Sequence, residues 1–279
     1  MNEFQSLIND VIEKVAQSRT EPVFLIDGIR HCPTCGKPLE IRREVFGEAR
    51  LLPVMCDCER AAEEKRKEIA HLAALADARK KCFGGDAVRL STARIAYAEL
   101  AHPKEAGIIR RYVEKFRELY AIQQGLLIYG PNGTGKSYIA AALCNALIDG
   151  GHEAYFTTFS RIEKEAGAKT REGRKEYLDS LNDYSLLVLD DLGAERTSEY
   201  MQELVFNVID SRYGSGKPMI ITTNLTMPEL KNPQTAQQSR IYDRILQICY
   251  PVQLGGESIR RKDTRERFYK AKEMLEGEG

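Results

Sequence analysis

The sequence lacks an excess of charge of either sign. Its 41 lysine and arginine residues equal its 41 aspartate and glutamate residues, so any nucleic-acid contact has to come from local patches. It also lacks a membrane span, since no window approaches the roughly 18 apolar residues required. Acidic residues stand near the start, where a signal peptide has a basic segment. We therefore predict a cytoplasmic protein with no membrane partner.

Internal repeats and low-complexity segments are also missing. The 279 residues, 43% hydrophobic and 29% charged, have the composition of a soluble globular protein, with room for one full domain and a smaller one. In a reducing compartment we expect the seven cysteines to be thiols or metal ligands rather than disulfides.

The chain divides into two parts of different texture. Apolar residues within 4–15 are spaced for an amphipathic helix, and a short, cysteine-bearing stretch follows at 31–58. Residues 59–81 are highly charged and lack Gly and Pro, which predicts a solvated helix. The motif FGGD interrupts this helix, so we predict an N-terminal domain over 1–85 and a larger domain over 86–279.

The larger part alternates helical and strand-like segments. KEAGIIRRYVEKFRELY (104–120) places its apolar residues at helical spacing. After it, short apolar runs are separated by helical segments, which is the pattern of a parallel sheet covered on both faces. The runs are LLIYG (126–130), AYFTTF (154–159), SLLVLD (185–190), PMIITTN (218–224) and YPVQL (250–254). We therefore predict an α/β fold with a parallel five-stranded sheet flanked by helices.

GPNGTGKS (130–137) lies between a strand and a helix, the context in which G-x-x-x-x-G-K-[ST] indicates a phosphate loop rather than a chance glycine turn. Glycines let backbone N–H groups surround phosphate oxygens, and the helix N-terminus adds its dipole. Lys136 suits the β and γ phosphates, and the Ser137 hydroxyl suits Mg²⁺. The predicted nucleotide-binding residues of the loop are Gly130, Pro131, Asn132, Gly133, Thr134, Gly135, Lys136 and Ser137.

LLVLDDLGAE supplies two consecutive acids. An acid at the end of such a strand holds Mg²⁺, directly or through water, which we predict for Asp190. Asp191 is placed to orient the attacking water. By itself the run indicates no more than a buried strand that meets solvent, and an Asn in the position of Asn224, which closes PMIITTN, is more often a turn residue. Together with the phosphate loop they favour a nucleotide site, in which the Asn224 amide helps to position the water.

HCPTCGK and MCDCE contain two close pairs of cysteines. A Cys-x-x-Cys knuckle followed by a second pair suits one tetrahedral Zn²⁺ site on Cys32, Cys35, Cys56 and Cys58. The second pair has one intervening residue rather than two, and a redox pair or buried thiols are the alternatives. Because a segment of this size buries little surface, the metal would supply much of its folding free energy.

The motifs GPNGTGKS, LLVLDDLGAE and ITTNL resemble those of the AAA+ ATPases of the bacterial replicative helicase loader group and of the related transposition helper ATPases. SRIYDRI (239–245) is similar to the segment that carries the arginine finger, and GGESIRRKD (255–263) to the sensor-2 segment. The resemblance covers residues 86–279. It implies a P-loop AAA+ core and ATP hydrolysis.

The resemblance also implies roles for C-terminal arginines, which otherwise look like a solvated basic helix. Arg244 corresponds to the finger and Arg260 to the sensor-2 arginine, while Arg240 is a rival for the finger. A finger acts on a neighbouring subunit, so head-to-tail self-association follows. The chain ends soon after Arg260, and we expect no C-terminal lid domain. Asp191 stands where relatives often have Glu, which favours slow, switch-like hydrolysis.

Three functions are compatible with these features. The first is a loader that binds a hexameric replicative helicase through the zinc domain, as some members of the group do, and delivers it to single-stranded DNA. The second is a transposition helper that coats duplex DNA and recruits a transposase, and the third is a nucleotide-switched adaptor. We expect ATP rather than GTP, since no Asn-Lys-x-Asp segment occurs, and the cofactors ATP, Mg²⁺ and Zn²⁺.

Overall fold

The structure is a computed structural model, and it describes residues 24–84, 88–193 and 199–276. Contacts between Cα atoms group the chain into two compact units, which divide between Ala74 and Leu75. The predicted domain limit after residue 85 stays a prediction. The amphipathic helix predicted within 4–15 lies outside the described residues.

The first unit contains two antiparallel hairpins. Their strands are β1 (Phe24–Ile26), β2 (Ile29–His31), β3 (Glu40–Val45) and β4 (Glu48–Pro53). The turns are Asp27-Gly28 and Phe46-Gly47, with φ values of 50° and 76° in the first and 55° and 82° in the second. Positive φ at both central residues is what two-residue hairpin turns need to match the twist of the strands.

Helix α1 (Asp57–Phe83) follows the hairpins and corresponds to the charged helix that the sequence predicts. Acidic side chains lie in its first turn and basic side chains in its last turn, which is the arrangement that the helix dipole favours. Gly84, with φ of 68°, follows its last residue, as is common after helices because glycine adopts the left-handed conformation without a steric penalty.

The second unit is built on a five-stranded sheet with the order β6-β7-β8-β5-β9. Its strands are β5 (Gly125–Tyr129), β6 (Ala154–Thr158), β7 (Leu186–Leu192), β8 (Met219–Thr223) and β9 (Cys249–Gln253). All four neighbouring pairs are parallel. The predicted parallel five-stranded sheet is therefore confirmed.

Two hydrophobic clusters cover the two faces of the sheet. In β5, Leu126 and Ile128 belong to one cluster and Leu127 to the other, as the alternation of side chains along a strand requires. The helices that flank the sheet or connect its strands are α2 (Val88–Ser91), α3 (Ile95–Ala101), α4 (Pro103–Glu114), α5 (Phe116–Ala121), α6 (Lys136–Asp149), α7 (Phe159–Gly167), α8 (Arg171–Ser180), α9 (Glu199–Gly214), α10 (Met227–Lys231), α11 (Ala236–Ile248) and α12 (Ile259–Glu276). No helix within the described residues is long and apolar enough to cross a bilayer.

The structure refines one local expectation and corrects another. The helical pattern over 104–120 forms two helices, α4 and α5, which are separated at Lys115 (φ −102°, ψ 19°). Strand β7 does not end at Asp190 but continues to Leu192. Its pairing with β8 becomes irregular between Leu189 and Leu192, which lets the strand continue past two consecutive acids.

Candidate nucleotide and metal sites

The phosphate loop connects β5 to α6 and depends on its glycines. Gly130, Gly133 and Gly135 have φ values of 148°, 85° and 97°. A Cβ atom at Gly130 would lie 2.0 Å from the carbonyl oxygen of Leu254, and one at Gly133 would lie 2.1 Å from Ser258 Oγ. The backbone therefore reaches this shape, with the N-terminus of α6 at its end, only with glycine at these positions.

Lys136 lies at the centre of the loop and is 5% exposed. Its Nζ donates hydrogen bonds of 2.9 Å to the carbonyl oxygens of Gly130 and Pro131 and one of 2.5 Å to Asn224 Oδ1. Because β8 lies between β5 and β7, Asn224 at the end of β8 stands between the phosphate loop and the two acids. Pro131 and Asn132 are exposed at the tip of the loop.

Two segments distant in sequence hold the loop from outside. His102 Nε2 donates a 2.7 Å hydrogen bond to the carbonyl oxygen of Thr134, a contact that fixes the ring nitrogen as the donor. The N–H of Ile259 donates a 2.9 Å bond to the carbonyl oxygen of Gly133. Sequence analysis missed both contacts, because no local pattern at His102 or Ile259 refers to the loop.

Asp190 is 6% exposed and accepts a 2.6 Å hydrogen bond from Thr222 Oγ1. Burial raises the pKa of Asp190, while hydrogen bonds from Thr222 and Ser137 oppose that rise. The structure thus brings together Asp190 and Ser137, the two residues predicted to hold Mg²⁺. Carboxylate and hydroxyl oxygens are the ligands that Mg²⁺ prefers, so these side chains fit the ion.

Asp191 has an unusual backbone conformation for a strand residue, with φ of 61°. It lies in the irregular part of β7, and its N–H donates a 2.9 Å bond to Thr222 Oγ1. Thr222 thus contacts both acids. Sequence analysis missed it, although it stands two residues before Asn224 in the quoted motif ITTNL.

The two candidate finger arginines lie one turn apart on α11 in different environments. Arg244 forms a 2.6 Å ion pair with Asp210, and its guanidinium lies 4.8 Å from the centroid of the Phe206 ring. Arg240 is exposed, and within the described residues its side chain forms no hydrogen bond or ion pair. The side chain of Arg260 lies outside the described part of the structure.

The four predicted zinc ligands of the first unit come together. The Sγ atoms of Cys32, Cys35, Cys56 and Cys58 all lie within 4.8 Å of one another. Cys58 Sγ is 3.1 Å from Cys56 Sγ, 3.3 Å from Cys32 Sγ and 3.5 Å from Cys35 Sγ. Sulfur ligands about 2.3 Å from Zn²⁺ in a tetrahedron are about 3.8 Å apart, so the separations in this cluster are close to those of a zinc site.

The electrostatics of this cluster favour one thiolate. The Cys35 amide donates to Cys32, and together with a Cys58 thiol and the Thr34 amide it lowers the pKa of Cys32 to about 6. Hydrogen bonds with the neighbouring sulfurs, that with Cys56 foremost, raise the pKa of Cys58. A bound cation would replace these thiol protons, because metal ligands have to be deprotonated. The other cysteines, Cys82, Cys144 and Cys249, are buried in the second unit.

The family model of IstB-like ATP-binding proteins matches residues 62–267 of the chain. The replicative helicase loader DnaC of Escherichia coli (strain K12) is 31% identical over 124 residues, which are 43% of this chain and 49% of that protein. The loader DnaI of Bacillus subtilis (strain 168) is 27% identical over 148 residues, 49% of this chain and 48% of the relative. The matches thus span about half the length of these loaders.

Similarity extends to a second kind of relative and to solved structures. An IS21-like insertion-sequence protein of Bacteroides fragilis, described as ATP-binding, is 27% identical over 176 residues, 60% of this chain and 65% of that protein. The crystal structure of the DnaC helicase loader superposes with a TM-score of 0.51 and 25% identity, over 61% of this chain and 100% of that one. The crystal structure of DnaI gives 0.54 and 24%, over 65% and 98%, a likeness of fold.

Proposed function

Because the chain belongs to the family of IstB-like ATP-binding proteins, we propose that it is an ATP-dependent helicase loader. It binds a hexameric replicative DNA helicase and delivers it to single-stranded DNA when replication starts. The family membership makes the chain a P-loop ATPase of the AAA+ class. The helicase as partner and its delivery to single-stranded DNA go beyond this family membership.

The cysteine cluster is the observation that favours a helicase loader over the other candidate functions. It lies in a compact unit separate from the unit that contains the phosphate loop. A small metal-stabilised module without nucleotide-binding residues is suited to bind a protein partner. A loader needs such a domain to bind the helicase. Zn²⁺ on the four sulfurs would fix the fold of this module.

In the nucleotide site, the loop amides and Lys136 bind the phosphates of ATP, and Ser137 and Asp190 hold Mg²⁺. Mg²⁺ held by these two side chains would supply positive charge that neutralises the transferred phosphoryl group. Asp191 orients the attacking water together with Asn224. An arginine from α11 of a neighbouring subunit stabilises the transition state, which makes head-to-tail assembly a condition of hydrolysis.

The test uses the full-length protein and a purified hexameric replicative helicase from the same source. We expect the two to co-elute in size-exclusion chromatography, and a Cys32→Ser/Cys35→Ser variant to lose the helicase while it still binds ATP. The matched control is Cys144→Ser, which changes a thiol of the other unit. A wild-type protein that does not bind helicase, or a double variant that binds it fully, would contradict the proposal.

A transposition helper ATPase is the second candidate. The similarity to the insertion-sequence protein covers 60% of this chain, against 43% for the similarity to DnaC of E. coli. Such a helper binds duplex DNA and recruits a transposase. Preference for duplex over single-stranded DNA in the presence of ATP, with capture of a transposase instead of a helicase, would favour it.

A nucleotide-switched adaptor, suggested by Asp191, is a third candidate. For such an adaptor we expect partner binding that depends on ATP but is unchanged when hydrolysis is blocked.

A further inference from the structure

The hydroxyl of Thr222 joins the two consecutive acids of the nucleotide site. Thr222 lies in β8 and is fully buried. Its Oγ1 donates a 2.6 Å hydrogen bond to Asp190 Oδ1 and accepts a 2.9 Å hydrogen bond from the N–H of Asp191. One side-chain atom therefore contacts the carboxylate of the first acid and the backbone of the second.

The geometry of Asp191 explains why such a contact is needed. In a regular strand, successive side chains point to opposite faces of the sheet, so two adjacent acids could not serve one site. The φ of 61° at Asp191 interrupts this alternation. A residue other than glycine in the left-handed region costs about 1 kcal/mol or more and persists only where its surroundings hold it.

The end of β8 supplies that hold. The N–H of Asp191 donates to Thr222 Oγ1 where the pairing of β7 with β8 is irregular. On the far side of the irregularity, Thr223 Oγ1 donates a 2.7 Å bond to the carbonyl oxygen of Leu192 and accepts a 3.0 Å bond from the N–H of Leu225. Two consecutive threonines of β8 thus fix β7 on either side of its left-handed residue.

We propose that Thr222 is a positioning residue for ATP hydrolysis, which holds the Asp190 carboxylate and the Asp191 backbone in one fixed relation. Asp190 then faces the metal and phosphate side of the site while Asp191 faces the attacking water. The inference rests on the roles proposed above for the two aspartates. Thr222 acts through them and does not itself contact the nucleotide.

Valine at this position has nearly the shape of threonine but no hydroxyl. In Thr222→Val, Asp190 Oδ1 loses a donor and the Asp191 N–H loses its acceptor inside a buried site, which frees both acids from their common geometry. The phosphate loop, including Lys136, is untouched. The expected signature is therefore a defect in the chemical step and in the Mg²⁺-dependent part of the nucleotide affinity, while the affinity without Mg²⁺ is unchanged.

Kinetics of the full-length protein with Mg²⁺ and ATP test this signature. We expect Thr222→Val to lower kcat by about 10- to 100-fold, the range found when positioning and electrostatic preorganisation are lost. Thr222→Ser, which keeps the hydroxyl, should restore kcat to within about threefold. Thr157→Val is the matched control, because Thr157 is a buried threonine of strand β6 in the same sheet. Its hydroxyl donates a long hydrogen bond of 3.4 Å to the carbonyl oxygen of Thr158.

A binding measurement supplies a readout that does not depend on turnover. A fluorescent ADP analogue is titrated into each variant with and without Mg²⁺, and thermal midpoints establish that each variant is folded. We expect the wild type, Thr222→Ser and Thr157→Val to bind more tightly with Mg²⁺. Thr222→Val should lose most of this gain, while its affinity without Mg²⁺ is unchanged. If Thr222→Val does not fold, Thr222→Ala takes its place in the same comparison with Thr222→Ser.

Three results would overturn the inference. They are a kcat of Thr222→Val equal to wild type, a folded Thr222→Ser as inactive as Thr222→Val, and a full Mg²⁺-dependent gain in Thr222→Val. Each of these leaves the proposed nucleotide site intact, provided that Lys136→Ala neither binds nor hydrolyses ATP. A Lys136→Ala protein with wild-type activity, or wild-type binding that is insensitive to Mg²⁺, would overturn the nucleotide site and the role of Thr222 together.

Discussion

Arg244 and Asp210 form an ion pair of 2.6 Å between helices α11 and α9 of the same chain. The Arg244 guanidinium also lies over the Phe206 ring of α9, 4.8 Å from its centroid. A finger in this position has to leave both contacts before it can reach a neighbouring subunit. Arg240, one turn earlier on α11, is exposed and can reach outward without breaking such a pair.

Because the two arginines have different environments, we expect their alanine variants to differ in thermal stability. Arg244→Ala should destabilise the fold by about 1 kcal/mol, because it loses a partly exposed ion pair and a cation–π contact, and the thermal midpoint should fall by about 2–4 °C. Arg240→Ala should leave the midpoint unchanged. Each variant is then mixed with Asp191→Asn. The mixture that contains the variant without the finger should regain hydrolysis, because some interfaces then join an intact finger to an intact acid. If neither mixture regains hydrolysis although the proteins assemble, a finger supplied in trans is contradicted.

Lys136→Ala should abolish ATP binding and hydrolysis, because Lys136 supplies the charge inside the loop. Lys115→Ala is a matched control, since Lys115 lies between α4 and α5 with an exposed side chain, and it should keep both activities. Isothermal titration with ATP and Mg²⁺ measures binding, and phosphate release measures turnover. Equal affinity in the two variants would count against the nucleotide site.

Elemental analysis should find one zinc per chain in protein purified without chelator. Cys56→Ser should reduce the zinc content below half an equivalent, since the site then loses one of its four sulfurs. Cys249→Ser changes a buried thiol of the second unit and should keep the full equivalent. Less than half an equivalent in the wild type would be decisive against a structural zinc.

Asp190→Asn should stabilise the fold while it removes hydrolysis. Burial raises the folded-state pKa of Asp190 above its ordinary value of 3.8, so between these two values the folded state holds more protons than the unfolded state. The stability of the wild type therefore falls as the pH rises through this interval, and the asparagine variant lacks that loss. Urea unfolding without Mg²⁺ should show a gain of the order of 1 kcal/mol, typical of stability recovered at the expense of function, that grows above pH 3.8 and then levels off. A variant less stable than wild type at neutral pH would contradict this account.

Arg212→Met should be severely destabilising. Arg212 is fully buried, and burial lowers its pKa to about 10, so that it remains charged at neutral pH. Its guanidinium donates to the carbonyl oxygens of Leu181, Tyr184, Ser185 and Pro218. Loss of these donors leaves several buried acceptors unpaired, and we expect a loss of about 3 kcal/mol or more. Arg171→Met, at an exposed position on α8, is the comparison. Equal stability of the two variants in urea would show that the carbonyl contacts contribute little.

The sequence predicts those parts of the site whose geometry is local. The phosphate loop is one continuous peptide, so the spacing of its glycines and lysine is enough to identify it. The knuckle at Cys32 and Cys35 is equally local. The strand order is tertiary, but alternating buried strands and helices restrict it to few parallel arrangements. Sequence analysis thus anticipated the loop, the cysteine knuckle and a parallel five-stranded sheet, whereas the order of the strands comes from the structure.

Other features depend on neighbours that lie far away in sequence. The left-handed conformation of Asp191 follows from its contact with Thr222, 31 residues later, and Asp in a strand-like run carries no signal for it. Asp27-Gly28 is a recognisable turn pair, but Phe46 in the left-handed region is not predictable from residue type. The support of the loop by His102 is likewise visible only after α3 and α4 have packed.

The hydrogen bond from Ile259 to the carbonyl of Gly133 attaches the first residue of α12 to the loop proposed to hold the phosphates. Rearrangement of the loop around a nucleotide and displacement of α12 are therefore linked equilibria. A partner that draws α12 away from the loop changes nucleotide affinity by some factor, and the nucleotide has to change the affinity for that partner by the same factor. If a partner acts on this backbone contact, its binding to α12 can therefore be measured as a change in the affinity of the loop for ATP.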